Sequence, residues 1–262
     1  MGIFSFFNRQ KKIESANRTV ILGIVLLKEL AIDSFDTTTE ILKADLHAEV
    51  AAYEKVRDVA VLIVDGYQVL IAPVPHKVPG NEVKIMAEYN YFWPNAVEET
   101  AKHKGHLIVS IVNGGKDPVK ENLLFSKVVC SLLKDPASLG FYMAGRTLVL
   151  EKNFYLNNAK EMFEGRLPLY NWIYFGLRQG WKKQSIYTYG LADFGKKEME
   201  IVHSDRTFEE LNALMYNVAH YVLASNEHLK SGEALDISGN HRLIVSESKG
   251  KFIYGTTLKI EC

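Results

Sequence analysis

Three groups of residues in this 262-residue chain have side chains suited to chemistry. The first is histidine: His76, His103 and His106. Imidazole is a common zinc ligand and the side chain whose charge changes near neutral pH. The spacing argues against a metal. His103 and His106 are three apart, but a predicted helix end and a predicted strand start fall between them. Neither H-x-H nor H-E-x-x-H occurs. A three-histidine site would need Pro75-His76 folded over the start of the strand at His106. The reading is therefore a hydrogen-bonded His106 at a strand entrance and a helix-end cation at His103, favoured by the macrodipole.

The second group is T-x-G-L-x-x-F-G-x-x-E, from Thr188 through Gly190, Asp193, Phe194 and Gly195 to Glu198. Two glycines five apart are compatible with a loop that cradles phosphate. Such a loop should lead into a helix and carry Lys with Ser or Thr. Here Glu198, Met199, Glu200 and Ile201 alternate as in a strand. The spacing predicts a shaped turn in which glycine supplies positive φ and Phe194 plugs a core, with a binding surface as the alternative.

The third group is aromatic: Tyr89, Tyr91, Phe92 and Trp93, followed by Asn95. It reads either as a loop packed back on a sheet or as the lining of a pocket or partner interface. No nucleophile is assembled. G-x-S-x-G is absent, and Ser126-Lys127 is an isolated pair. Asp193, Glu198 and Glu200 are acid–base candidates, but charged residues of this kind are routine on exposed strand faces, and the solvated reading is preferred. The candidate binding residues are thus His76, Phe92, Trp93, Asn95, His106, Thr188, Asp193 and Glu198. No catalytic residue, metal ligand or cofactor is assigned.

Composition narrows the function classes. Lys+Arg and Asp+Glu are both 31, so no basic excess draws the chain to nucleic acid or anionic lipid. The longest apolar stretch, Val20–Leu27, falls well short of the roughly 20 residues of a spanning helix. The N-terminal MGIFSFFNRQKK has its apolar residues before its charges, the reverse of a signal peptide, and Phe6 breaks the myristoylation pattern. It is expected to be a loosely docked tail, with a membrane-touching segment as the alternative. The two cysteines, Cys130 and Cys262, form no C-x-x-C. This predicts a reduced cytoplasmic protein with Cys130 as a small core hydrophobe.

These residues must be held by a recognisable set of elements. Thr19–Leu27 reads as a buried strand, and Asp36 or Thr37 caps a predicted helix within 37–52. Runs Val59–Val64 and Tyr67–Ala72 flank Asp65-Gly66, a strong hairpin signal. A loop follows, then a helix from Pro94 to His103 and a strand from His106 to Val112. That order is βαββαβ, the ferredoxin-like pattern. A module boundary is placed near Gly115.

Beyond it, Asp117 and Pro118 open a helix to Leu133. An extended piece (140–150), a short helix (157–164) and a strand (169–179) come next. Two strands around Gly190–Gly195 follow, then a helix capped by Thr207. The chain closes with a strand pair joined by Lys249-Gly250-Lys251.

The segments APVPHKVPGNE, FWPNA, AKHKGHLIVSIV, NLLFSKVV and above all TYGLADFGKKEMEI resemble a bacterial family defined only as domain of unknown function 4261. The likeness runs from Ala72 to Ile201. It implies a compact bacterial α+β protein and no particular activity; some relatives look like companions of toxin systems.

The expected fold is α+β. A tail (1–17) precedes a ferredoxin-like module (18–115) and a second α+β module (116–262) with a mainly antiparallel sheet, packed together or forming one continuous domain. The expected function is a non-enzymatic protein-interaction module, an immunity or accessory factor whose partner is another protein. The alternative is a small-ligand or metal-binding enzyme using His76, His106 and Glu198 between the modules.

Overall fold

A continuous apolar run has to be buried on both faces, and Ile21–Leu27, strand β1, lies inside a sheet and is buried at every residue except Leu22. The structure is a computed structural model. It describes residues 20–29, 45, 50–56, 58–143, 145–236 and 242–261. Two compact units divide between Asn171 and Trp172. Among the described residues, no helix is long and apolar enough to cross a membrane.

In the first unit, β1 is followed by β2 (Val50–Val56), β3 (Val59–Val64), β4 (Tyr67–Val74), helices α1 (Glu82–Ala87) and α2 (Ala96–Ala101), and β5 (Gly105–Ile111). Helix α3 (Pro118–Leu133), β6 (Ser138–Met143), β7 (Leu148–Glu151) and α4 (Lys152–Ala159) complete it. The seven strands are ordered β2-β3-β4-β5-β1-β6-β7, and each described pairing is antiparallel. The hairpin at Asp65-Gly66 forms as expected, with φ of 50° and 79°, the left-handed pair that a tight two-residue turn requires.

Three expectations differ from this arrangement. The strand order is not that of a ferredoxin-like sheet, which sets its first and third strands side by side. Here β5 returns antiparallel directly beside β4 and separates it from β1. The helix expected over 37–52 falls mostly outside the described residues; Asp45 is helical, whereas Val50–Ala52 belong to β2. Strand β2 pairs with the outer edge of β3 and satisfies backbone groups that would otherwise stand open. Gly115, read as a module boundary, is followed by α3, β6 and β7 of the same unit, and β6 extends the sheet by pairing with β1.

Helix α3 starts where its sequence directs. The Asp117 side chain accepts from the Lys120 N–H, and Pro118 occupies the first turn. Its apolar face covers β1, β5 and β6. Phe125 meets Phe141 edge-on, and Phe141 meets Tyr155 of α4 in the same way. On the opposite face of β6, the Trp93 ring lies over Gly140 and the Tyr142 hydroxyl donates to Glu82 of α1 at 3.1 Å.

The second unit contains β8 (Tyr174–Gln179), β9 (Gln184–Tyr189), β10 (Met199–Ser204), α5 (Phe208–Ala224), β11 (Ala234–Asp236), β12 (Arg242–Lys249) and β13 (Thr256–Glu261). The sheet order is β11-β12-β13-β10-β9-β8. All described pairs are antiparallel except β10 with β13. The expected strand over 169–179 is shorter, because Leu169–Asn171 form a 3-10 turn ahead of β8. Helix α5 begins with a complete Thr207–Glu210 capping box, packs on β8 and β9, and buries Leu211, Met215, Val218, Ala219, Val222 and Leu223.

The Trp93–Gly140 contact gives a direct test of the first unit's packing. A Cβ at Gly140 would sit 2.4 Å from the Leu150 carbonyl oxygen and 3.0 Å from the Trp93 ring. Gly140→Ala should destabilise the protein by about 1–3 kcal/mol. The measurement is the urea midpoint, which should fall with little change in slope; an unmoved midpoint contradicts this packing.

Candidate functional site

Strand alternation sends Met199 and Ile201 of β10 into the apolar core and Glu200 to the other face. That face is not solvated as expected. The segment joining β12 to β13, Gly250–Gly255, folds over it. The segment is closed by the Gly250 N–H donating to the Gly255 carbonyl at 2.8 Å, with Gly255 at φ 93°. Three successive N–H groups point at the Glu200 carboxylate: Lys251 at 3.0 Å, Phe252 at 2.8 Å and Ile253 at 3.1 Å. The Thr257 hydroxyl donates at 3.2 Å and the Lys259 ammonium lies 2.7 Å away. Phe252 stacks on Tyr187 with ring centroids 5.6 Å apart, and Arg178 lies over the same Tyr187 ring.

Glu200 is fully buried, and burial alone pushes a carboxyl pKa up. The Lys251 and Phe252 N–H groups and the Lys259 ammonium outweigh that effect and hold it below the ordinary 4.5.

Glu198, two residues earlier, serves a different turn. Its carboxylate accepts from the Thr188 hydroxyl at 2.8 Å, the Gly190 N–H at 2.7 Å and the Ala192 N–H at 3.1 Å. Gly190 and Gly195 take φ of 124° and 70° around the 3-10 turn Leu191–Phe194. Phe194 is buried and stacks on Trp172 at 5.6 Å. Thr188 and Glu198 therefore hold the turn that the glycine spacing suggested; Asp193 sits half-buried on it. Burial pushes the Glu198 pKa up, the three donors pull it back in part, and the net position is above the ordinary 4.5.

In the first unit, His76, His103 and His106 do come together, but as clamps. The His106 Nδ1 bonds the His76 backbone carbonyl at 2.8 Å, so it carries the ring proton. Burial lowers the pKa of His106. The His103 Nε2 accepts from the Val78 N–H at 3.0 Å and its Nδ1 faces the Thr100 carbonyl. His103, expected as a helix-end residue, is buried just past α2 with its Nε2 accepting from the loop. Together the two rings pin the 76–78 segment to the end of α2 and the start of β5. Among the described residues, no group of three or more His, Cys, Asp or Glu is placed to hold a metal. Glu198 belongs to the other unit, where its hydrogen bonds come from residues 188–192.

Phe92 and Trp93 are neighbours with opposite surroundings. The Asn90 side-chain oxygen accepts from both of their N–H groups, at 2.8 and 3.0 Å, and so fixes the loop. Trp93 turns inward onto Gly140. Phe92 stays 36% exposed; it stacks on Phe154 at 4.6 Å and meets Tyr170 edge-on at 5.2 Å, beside the 37% exposed Tyr91. Asn95 precedes α2 and makes no side-chain cap bond.

Glu200 was singled out from sequence only as a solvated strand-face carboxylate, and Lys259, Lys251 and His203 were not singled out as site residues. The signal available for them was the glycine pair of K-G-K-F-I-Y-G, which marks a shaped loop able to converge N–H groups.

The fold and these turns define a mixed α+β protein with two mainly antiparallel sheets. Residues 187–261 match the family described as Domain of unknown function (DUF4261). Of the segments that carry the resemblance in sequence, TYGLADFGKKEMEI lies inside this match, which extends to β13 and includes the Glu198 and Glu200 turns. No curated protein and no solved structure matches the chain.

The two glutamates should respond unequally to loss of charge. Glu200→Gln should lower stability by about 3 kcal/mol at neutral pH, because it leaves buried donors and Lys259 without an anion. Glu198→Gln should change it by less than about 1 kcal/mol, since an amide keeps the carbonyl acceptor. The pH dependence follows from the signs. With its folded pKa below 4.5, Glu200 contributes stability that is complete above 4.5 and fades as pH falls through the folded value. With its folded pKa above 4.5, Glu198 contributes in the opposite sense, and its protonation adds stability as pH falls through that raised value. Urea denaturation from pH 3 to 8 should therefore show the Glu200→Gln deficit shrinking in acid. A deficit that persists at the acid end contradicts this assignment.

Proposed function

We propose that the protein is a non-enzymatic interaction module that binds another protein through the aromatic surface of its first unit. The observation that carries this reading is the partly exposed ring cluster of Tyr91 and Phe92 on Phe154 and Tyr170. Exposed aromatics cost free energy in water, and large rings dominate binding energy in protein interfaces. The loop beneath them is already fixed by Asn90, so association would require little further ordering of the backbone. The histidine clamps support the same reading, because both nitrogens of His103 and the Nδ1 of His106 are spent on anchoring backbone groups. The proposal includes a bacterial cytoplasmic setting and an immunity or accessory role, for which the resemblance and the cysteine usage are the support.

The test is capture by the immobilised full chain from native bacterial extract, identification of the retained protein, and titration with that protein in purified form. Phe92→Ala should weaken the measured affinity by at least about 10-fold and leave the melting temperature nearly unchanged. Trp93→Ala should instead destabilise the fold by about 3–5 kcal/mol. An affinity indifferent to Phe92→Ala, or no retained partner, overturns the reading.

A further inference from the structure

We propose that the second unit holds a binding cleft for a phosphorylated sugar or polyol, at the place where β10 and β13 part. It lies in a different unit from the aromatic cluster and does not rest on the partner-binding reading. The parallel pairing of these strands covers only Met199↔Leu258 and Glu200↔Lys259. Both strands run on, β10 to Ser204 and β13 to Glu261, without further pairing between them. The divergence has a local cause. Between Ile201 and Ser204 the register of β10 against β9 shifts, and His203 adopts φ 58°. A left-handed non-glycine residue costs about 1–2 kcal/mol, and bulges that re-aim a strand recur beside binding sites. Crevices at the carboxyl ends of parallel strands are where open sheets receive ligands.

The fork opens into a cleft of about 630 Å³, inside the range of roughly 300–1,000 Å³ that small-molecule sites occupy. Its lining is rich in donors. Lys249 and Lys251 both line it. The third lysine, Lys259, is already neutralised by Glu200. The Lys251 backbone is held by its N–H bond to Glu200, so its side chain departs from a fixed point. Its ammonium meets the Nε2 of His203, which leaves Nδ1 as the donor of that ring. Ser246 and Ser248 add hydroxyls, and Glu261 adds one acceptor, to which the Ser246 hydroxyl donates at 3.4 Å.

Two ammonium groups and an imidazole N–H match the charge and oxygen count of a phosphate monoester. The serines and Glu261 match the hydroxyls of a sugar or polyol. No Phe, Tyr or Trp is among the residues lining the cleft, and the His203 ring is already engaged by Lys251, so a nucleobase has no broad platform on which to stack. The cleft is also larger than a bare phosphate needs.

The test is titration of the full-length protein with glucose 6-phosphate, glycerol 3-phosphate, inorganic phosphate and glucose, followed by calorimetry and by amide NMR shifts. A phosphorylated sugar or polyol should bind saturably, more tightly than phosphate or glucose, and shift residues 201–204 and 246–251. Lys249→Ala and Lys251→Ala should each weaken it by about 10-fold, whereas Lys120→Ala in the other unit should not. No saturation by either phosphorylated probe up to about 10 mM overturns the proposal. So does inorganic phosphate or glucose binding as tightly, or an affinity unchanged in both lysine variants.

Discussion

A fully buried carboxylate is tolerated only when donors surround it, and the second unit is organised around that requirement at Glu200. Its six-stranded sheet consists of two antiparallel sets, β11-β12-β13 and β10-β9-β8, joined by a parallel pairing two residue pairs long. So short a ladder is weak by itself. Glu200 reinforces it from one face: its carboxylate, carried on β10, is held by Lys259 and Thr257 of β13 and by three N–H groups of the segment joining β12 to β13. The same contacts impose the loop conformation. Gly250 has no room for a Cβ, which would lie 2.0 Å from the Ile253 carbonyl oxygen, and Gly255 has positive φ.

The device recurs at three other turns and helix starts. Glu121 accepts from the N–H groups of Gly115, Lys116 and Asp117 and so sets the approach to α3. Glu151 accepts from Phe154 N–H at the start of α4. Glu198 does the same for the 190–192 turn. In each case a carboxylate replaces water as the acceptor for donors that a turn strands. The difference lies in the charge balance. Burial pushes both carboxyls up; at Glu200 the loop N–H groups and the Lys259 ammonium outweigh it and the pKa falls, whereas at Glu198 the neutral donors do not and the pKa rises.

What was legible in the sequence was local. The Asp65-Gly66 hairpin, the Asp117-Pro118 start of α3 and the Thr207 capping box of α5 depend on residues within a few positions of one another, and all three form. Strand order was not legible, because nothing in residues 67–74 states whether β1 or β5 will lie alongside. The two glutamates show the same limit. Alternation correctly separated Glu200 from the core face of Met199 and Ile201. It carried no information about a segment some fifty residues later that covers the opposite face. Phe92 and Trp93 are alike in composition terms, yet a single Asn90 turn sends one ring outward and the other onto a glycine.

The fork between β10 and β13 is best understood against what the sequence favours there. Ile201 and Ile260 are β-branched and buried, residues that suit continued pairing. A sheet shaped by stability alone would extend the parallel ladder past Glu200 and satisfy the backbone groups that follow. Instead the register slips, a histidine takes a left-handed conformation, and two lysines with serine hydroxyls stand at the opening. The lost pairing and the left-handed His203 run against local preference. Conflicts of that kind cluster at functional sites. The Glu200 clamp makes this tolerable: it holds the two strands together immediately before they separate, so the strain at His203 stays local to the cleft.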